Sequence, residues 1–399
     1  MEFAFTEEQE MIRDSAESFL QDHSSSAAVR AAMETESGYD PQLWTRISTE
    51  MVWPALTIPE TFGGLGLGYV ELTILLEEMG RNLLCSPFYS TVCLGVNSLL
   101  VAGSDAQKQQ WLPSIAEGNL TATLAYTSAN HWGLDSVQCL ATAEGDGFVL
   151  SGRLKYVPDG HTAGLLIIAC RDEGSLNDQG ISLFAVPADT EGVKRRWTPA
   201  MDQTRRQAEI TLDNVYVDRS ALLGTEGQSG EKLKTILQLA AIGVAAEQCG
   251  GARQSLDMTV DYTKERVQFG RTIASFQAIK HRAADMMVQV ECARSAVYYA
   301  ACVAQEALFC NESGNNVIAC ELPEAASLAK AYCSDAFFHC AAESIQLHGG
   351  VGFTWEYDPH LYFKRAKSTE TFLGDSAYHR EAIAQVIFAD SGMEQETLS

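Results

Sequence analysis

The hydrophobic period of this 399-residue chain changes twice, and that double change restricts its fold more than any other feature. Up to about residue 122 the apolar spacing is helical. Thr6-Glu-Glu-Gln9 reads as a capping box, and Met11, Ile12, Phe19 and Leu20 recur on one face behind it. Further helices are predicted over about 69–81 and 106–117. From about 123 to 222 the pattern becomes short runs of strand-forming residues bounded by Gly, Asp and Pro. These are Ala141–Glu144, Gly147–Gly152, Gly164–Cys170, Gly180–Pro187 and Ala208–Val217. No helix-length pattern separates them, which predicts an antiparallel β domain rather than βαβ units. From Gly230 the helical period returns, with helices predicted at about 230–266, 275–310, 322–348 and 376–390. Four long amphipathic helices with short links make an antiparallel bundle. The expected class is α+β, with an N-terminal helical domain (1–122), a middle β domain (123–222) and a C-terminal helical bundle (223–399).

Composition narrows the function. A net charge of −24 repels nucleic acid and anionic membrane, so neither is an expected partner. Any anionic ligand must find a local basic patch. No run approaches 18 apolar residues, and no membrane insertion is expected. Met1–Phe5 carries neither a basic nor an apolar signal region, which makes a cytoplasmic location the expectation. The eleven scattered cysteines contain no CxxC and read as small buried hydrophobes in a reducing compartment. The histidines do not fall at metal-ligand spacing, so no metal site is expected.

Two glycine clusters call for a reading. Gly63-Gly64-Leu-Gly66-Leu-Gly68 lacks the GxGxxG spacing and no strand clearly precedes it, so it reads as a turn rather than a phosphate cradle. Gly250-Gly251 falls inside a predicted helix, where each glycine costs about 1 kcal/mol against Ala. Close helix packing or a nearby ligand would explain it.

Two other segments carry chemistry. Arg266-Val-Gln-Phe-Gly-Arg271, with Phe276-Gln277 after it, sets arginines and glutamines around one glycine. Planar arginine is the natural partner of a pyrophosphate. Gln346-Leu-His-Gly-Gly-Val-Gly352 ends a long helix. Gly349 and Gly350 can close that helix and, lacking a Cβ, let backbone lie against a ligand. The plainer reading is a C-cap glycine and a charged helix surface.

With Ile58-Pro-Glu-Thr-Phe-Gly-Gly-Leu-Gly66, Glu77-Glu-Met-Gly-Arg81 and Gln110-Trp-Leu-Pro-Ser-Ile-Ala-Glu-Gly118 in the same order, these segments make the chain resemble the acyl-CoA dehydrogenase family over essentially its whole length. The resemblance implies a helical domain, a middle β-barrel and a four-helix bundle, usually assembled as a tetramer with FAD at a dimer interface. It implies that Arg266, Gln268, Phe269 and Gln277 reach the flavin of one site, and that Gln346, His348, Gly349 and Gly350 approach it from the neighbouring subunit. It also implies an acyl-CoA substrate and an electron-transfer flavoprotein as acceptor. Oxidising a C–C bond needs a hydride acceptor, and with no Rossmann fingerprint in the sequence that acceptor should be an organic cofactor bound another way.

The middle segment departs from the family. The loop usually offered to substrate and flavin reads Tyr126-Thr-Ser-Ala-Asn-His-Trp-Gly-Leu-Asp135. The segment usually set against the flavin ring reads Tyr156-Val-Pro-Asp-Gly160. Tyr156 can stack on a ring, but Pro158 has no N–H to donate.

The family reaction removes an α-proton with a carboxylate while the β-hydride goes to flavin. The base must be a Glu in a dry site, its pKa raised toward the working pH. Many members carry it where this chain has Phe372-Leu373-Gly374-Asp375, and Leu373 takes no proton. Others carry it 26 residues before the residue matching Arg266, where Ala240 stands. Glu247 is the remaining carboxylate on nearly the same helix face, seven residues on and about 10 Å along the axis. It reads either as the base or as a structural Glu paired with Arg253 or Arg294. Asp375 reads as a base or as the cap of the next helix.

Three functions stay open. One is an FAD-dependent 2,3-desaturation of an acyl-CoA with Glu247 as base. Another is a non-catalytic FAD-binding subunit of a heteromeric acyl-CoA dehydrogenase acting on a bulky acyl chain, such as a steroid side chain or a dicarboxylic acyl group. The last is a different flavin reaction on an acyl thioester.

Overall fold

The computed structural model describes residues 5–309 and 318–389. The helix ends expected at 310 and 390, and the termini of the outer domains, lie outside the described residues.

The N-terminal part holds α1 (Glu7–His23), α2 (Ser26–Glu34), α3 (Pro41–Thr49), α4 (Tyr69–Arg81), α5 (Asn97–Ala102) and α6 (Asp105–Ala116). The capping box of α1 forms as expected: the Gln9 amide donates to Thr6 Oγ1 at 3.2 Å and the Thr6 amide to Gln9 Oε1 at 3.1 Å. The strands are β1 (Ala122–Ala125), β2 (Leu140–Glu144), β3 (Gly147–Pro158), β4 (Leu165–Arg171), β5 (Ile181–Pro187), β6 (Val193–Thr198), β7 (Gln207–Asp218) and β8 (Leu222–Leu223). The C-terminal part holds α7 (Gly230–Glu265), a hairpin of β9 (Val267–Gln268) and β10 (Arg271–Thr272), α8 (Gln277–Phe309), α9 (Leu322–His348), α10 (Pro359–Thr371) and α11 (Ser376–Ala389). No described helix is long and apolar enough to cross a membrane.

The sheet corrects the antiparallel expectation. Its order is β6-β7-β3-β2-β4-β5-β8, with β1 beside β4. β1 runs parallel to β4, and β2 meets β4 in parallel at Leu140 and Arg171. The crossover is made by the β2–β3 hairpin instead of a helix, so the absence of a helical pattern did not exclude parallel pairing. The strand path does not close on itself.

β4 is buried on both faces, which accounts for its unbroken apolar run. Leu165, Ile167 and Ala169 pack into the large core shared with the helices. Leu166, Ile168 and Cys170 pack against Phe148 and Phe184 in a second core inside the β layer. α7 is the central helix, packed on α4, α8 and α9. Gly250 and Gly251 exist for that packing. A Cβ on Gly250 would stand 1.8 Å from the Glu77 carbonyl of α4, and one on Gly251 would stand 2.4 Å from the Phe337 ring of α9. The 63–68 cluster is a turn: the amides of Leu65, Gly66 and Leu67 donate to the carbonyls of Ala55, Ile58 and Leu56, so they are not offered to a phosphate.

Helix α10 went unpredicted. Its buried stripe is Leu361, Tyr362, Arg365, Ala366 and Thr369, and a buried arginine and threonine break the apolar signal.

Candidate functional site

The two glycine-and-arginine segments meet on one chain. Tyr262, in the last turn of α7, stacks on His348 at the end of α9, with ring centroids 4.3 Å apart. Beyond Tyr262 the β9–β10 hairpin turns through Phe269 and Gly270, both at positive φ (54° and 76°). Phe269 is 92% exposed. Arg266, Gln268, Arg271, Gln277 and Gln346 are exposed too. The Arg271 guanidinium lies over the Phe276 ring at 4.1 Å, which leaves the edge of its planar fork free for an anion. Gly349 ends α9 with φ 66°, and a Cβ on Gly349 or Gly350 would meet nothing within 4 Å. These glycines therefore border open space, as a backbone cradle requires. His348 differs from its exposed neighbours. It is buried, its Nδ1 faces the Ser344 carbonyl at 2.7 Å, and burial lowers its pKa.

A cavity of about 510 Å³ opens between the β layer and the bundle. Its apolar wall includes Tyr126, Trp132, Leu237, Ala241 and Leu373. Leu373 is buried at φ 60°, a conformation that a leucine rarely adopts. Ala240 is fully buried beside the cavity wall, and its carbonyl accepts from Tyr89 Oη at 2.9 Å. The carboxylates that do line the cavity are Asp135 and Asp178, whose side chains are 66% and 45% exposed. Neither occupies the dry setting that an α-proton base needs.

Glu247 does not line this cavity. It pairs with Arg205, on the loop between β6 and β7, and not with Arg253 or Arg294. Arg205 Nη2 donates to both carboxylate oxygens, at 2.6 and 2.5 Å. Burial works to lower the Arg205 pKa, but the Glu247 charge and hydrogen bonds raise it above its usual value. Arg365 of α10 lies 4.0 Å from Glu247 and donates to Asp202 at 2.9 Å, extending the network. Asp375 caps α11, accepting from the Tyr378 amide at 2.8 Å.

Lys330 is the group that sequence reading missed. It is fully buried, and its Nζ donates to Ser334 Oγ, to the Glu370 carbonyl and to the Gly374 carbonyl at 2.9, 3.1 and 2.9 Å. Burial pushes its pKa down to about 7. His379 completes the support of the Leu373 turn, with Nε2 3.0 Å from the Leu373 carbonyl. That carbonyl can only accept, so Nε2 carries the proton. Burial, with Lys330 nearby, lowers the His379 pKa to about 4. A lysine among Ala325, Ala326, Ala329 and Ala331 was the available sequence signal.

The Tyr126–Asp135 and Tyr156–Gly160 segments meet in aromatic packing beside the cavity. Trp132 lies between Tyr156 (centroids 5.9 Å apart) and Phe372 (5.2 Å, edge to face). The void that they share with Thr127, Pro158 and Leu373 measures about 10 Å³.

Comparison with known proteins agrees with this architecture. The N-terminal, middle and C-terminal domain families of acyl-CoA dehydrogenases match residues 6–119, 123–215 and 231–388. Acyl-CoA dehydrogenase IpdE2 of Mycolicibacterium smegmatis is 33% identical over 92% of this chain and 95% of its own length. Among solved structures, butyryl-CoA dehydrogenase from Megasphaera elsdenii superposes with a TM-score of 0.87 at 26% identity, covering 97% of this chain and all of that one. The Tcur3481-Tcur3483 steroid ACAD superposes with a TM-score of 0.83 at 28% identity, over 96% and 99%. The chain belongs to the acyl-CoA dehydrogenase family, whose members are FAD-containing oxidoreductases.

Proposed function

We propose that this chain is the base-free subunit of a cytoplasmic heteromeric acyl-CoA dehydrogenase. It lends the Arg266–Gln277 and Gln346–Gly350 surface to an FAD shared with a partner that carries the carboxylate. The observation behind this reading is the state of Glu247. A carboxylate held through both oxygens by Arg205 in a buried pair, away from the cavity, is already committed to a partner, and the protein would have to break that pair to free it. Leu373 and Ala240 fill the other two positions with side chains that hold no proton.

The stacked Tyr262–His348 pair favours one refinement of the sequence expectation. Both segments sit at one end of one bundle, so a single chain offers them together to one cofactor. Bound FAD supplies the hydride acceptor. This chain's share is to bind and orient: Arg266 and Arg271 neutralise pyrophosphate charge, Gln268 and Gln277 donate amide hydrogens, and Gly349 and Gly350 let backbone approach. Such a local basic surface offsets the overall charge of −24.

The assembly's substrate on this reading is an acyl-CoA with a bulky acyl group, and its acceptor an electron-transfer flavoprotein. The steroid ACAD among the solved relatives, named for two components, supports the substrate and the heteromeric form. The test is to express the tagged full chain alone and with a homologous dehydrogenase gene carrying a Glu at one of the two base positions. A yellow mixed assembly only on co-expression is the expected result. A yellow homotetramer of this chain, bleached by an acyl-CoA, would overturn the reading.

A further inference from the structure

We propose that the cavity between the β layer and the bundle binds an uncharged, largely apolar molecule bearing a hydroxyl or carbonyl group, which Ser327 recognises, while its acidic mouth turns coenzyme A thioesters away. The base-free reading assigns that space no ligand, and this assignment holds whether or not a partner supplies the carboxylate.

A volume of about 510 Å³ suits a small molecule, whose sites usually measure roughly 300–1,000 Å³. The lining favours an apolar one, since Trp132, Leu237, Ala241, Ala326 and Leu373 all face the space. Ser327 breaks that lining. It stands on α9, is only 7% exposed, and faces the same cavity. Its hydroxyl has no hydrogen-bond partner among the described residues, yet it keeps accessible surface, so it opens on the cavity. A hydroxyl offers one donor and two acceptor positions, and in an apolar setting it gains from being paired. A hydroxyl or carbonyl on the ligand would pair it.

The mouth is acidic, with the exposed carboxylates of Asp135 and Asp178 on it. Lys234 is the one lysine or arginine among the described residues of the lining, and it is already engaged. Its Nζ lies 2.6 Å from Glu231 Oε1 and 3.8 Å from Asp178 Oδ2. His379, with its pKa lowered to about 4 by burial, adds no positive charge at neutral pH. The negative field reaches the cavity wall: burial, then the Asp135 charge, raises the Tyr378 pKa, and Lys234 opposes this with less effect. Coenzyme A is a multiply charged anion, and on a chain of net charge −24 such an anion needs a local basic patch. This mouth offers the opposite. His131 Nδ1 lies 3.6 Å from Asp135 and would offset that charge when protonated, so binding is compared above the ordinary histidine range.

Calorimetric titrations of the full-length chain at about pH 8 test both parts. The probes are 1-octanol, butylbenzene, octanoyl-CoA and an uncharged counterpart, S-octanoyl-N-acetylcysteamine. Wild type should bind octanol and the uncharged thioester, and should bind octanoyl-CoA roughly 10-fold more weakly at low salt. That difference should shrink as salt is added, and Asp135→Asn combined with Asp178→Asn should remove most of it. Ser327→Ala, favourable in a helix, should weaken octanol by roughly 5-fold and leave butylbenzene, which has no polar atom, unchanged. Octanoyl-CoA binding to wild type as tightly as the uncharged thioester overturns the proposal, as does failure of octanol to bind. A difference that neither salt nor the asparagines alter assigns the exclusion to shape and overturns the acidic mouth. Loss of octanol and butylbenzene alike, or of neither, overturns the role of Ser327. Should the chain be soluble only with a partner, the same differences between wild type and variant are read in the mixed assembly, where the partner's sites are common to every sample.

Discussion

Arg205 donates one guanidinium nitrogen to both oxygens of Glu247, at 2.6 and 2.5 Å, across the seam between the β layer and α7. The pair ties the loop before β7 to the central helix. It also gives the carboxylate a structural role in a place where sequence pattern left a catalytic and a structural role open. Glu247→Gln would leave Arg205 buried without its counter-charge. Such a break costs roughly 3–5 kcal/mol. Chemical denaturation of the variant should show that loss, and Arg205→Met in the Glu247→Met background should recover part of it, because the pair is then replaced by apolar groups.

Lys330 sets a pH dependence. Its folded pKa is about 7, against 10.5 when unperturbed. Between those values the unfolded chain binds the extra proton, so stability should rise with pH across that window. The burial penalty is fully present below about pH 7 and is relieved on the way to pH 10.5. In Lys330→Met that part of the slope should vanish, as urea midpoints measured at several pH values between 7 and 10 would show. An unchanged slope would assign the charge elsewhere.

Restoring a glutamate at the family position should not restore the reaction. Leu373 is 5% exposed, packed into the core with Phe372 and Tyr126. A carboxylate there would displace apolar contacts with Phe372 and Tyr126, and burying a polar group without a hydrogen bond costs about 1–3 kcal/mol. Leu373→Glu should lower the melting temperature and leave the chain unable to reduce flavin with acyl-CoA. Anaerobic absorbance spectra of the variant check the second outcome.

Phe269 offers the reverse contrast. At 92% exposure it contributes little to the fold of one chain, so Phe269→Ala should change stability by no more than about 0.5 kcal/mol. The FAD content of the mixed assembly should fall nonetheless, since a large exposed aromatic at a hairpin tip is suited to an interface. Flavin absorbance per protein in the purified assembly measures this.

Much of the architecture was legible because it follows from period. The α4 range Tyr69–Arg81, the α7 start at Gly230 and the α9 range Leu322–His348 fall where apolar spacing put them. Parallel pairing of β1 with β4 was not legible, because strand direction depends on a hairpin crossover that leaves no helical signature. At the site, the empty base positions Leu373 and Ala240 could be read directly. The partner of Glu247 could not: Arg205 lies 42 residues away, on a loop whose position no helical period reports, whereas Arg253 and Arg294 stand on the predicted helices.

The most direct measurement is an anaerobic acyl-CoA titration of the flavin-loaded assembly purified through a tag on this chain, with wild type and Glu247→Gln compared. The account predicts equal flavin bleaching in both, in an assembly that contains a second, Glu-bearing subunit. Bleaching by a flavin-loaded homotetramer of this chain, abolished by Glu247→Gln, would contradict it.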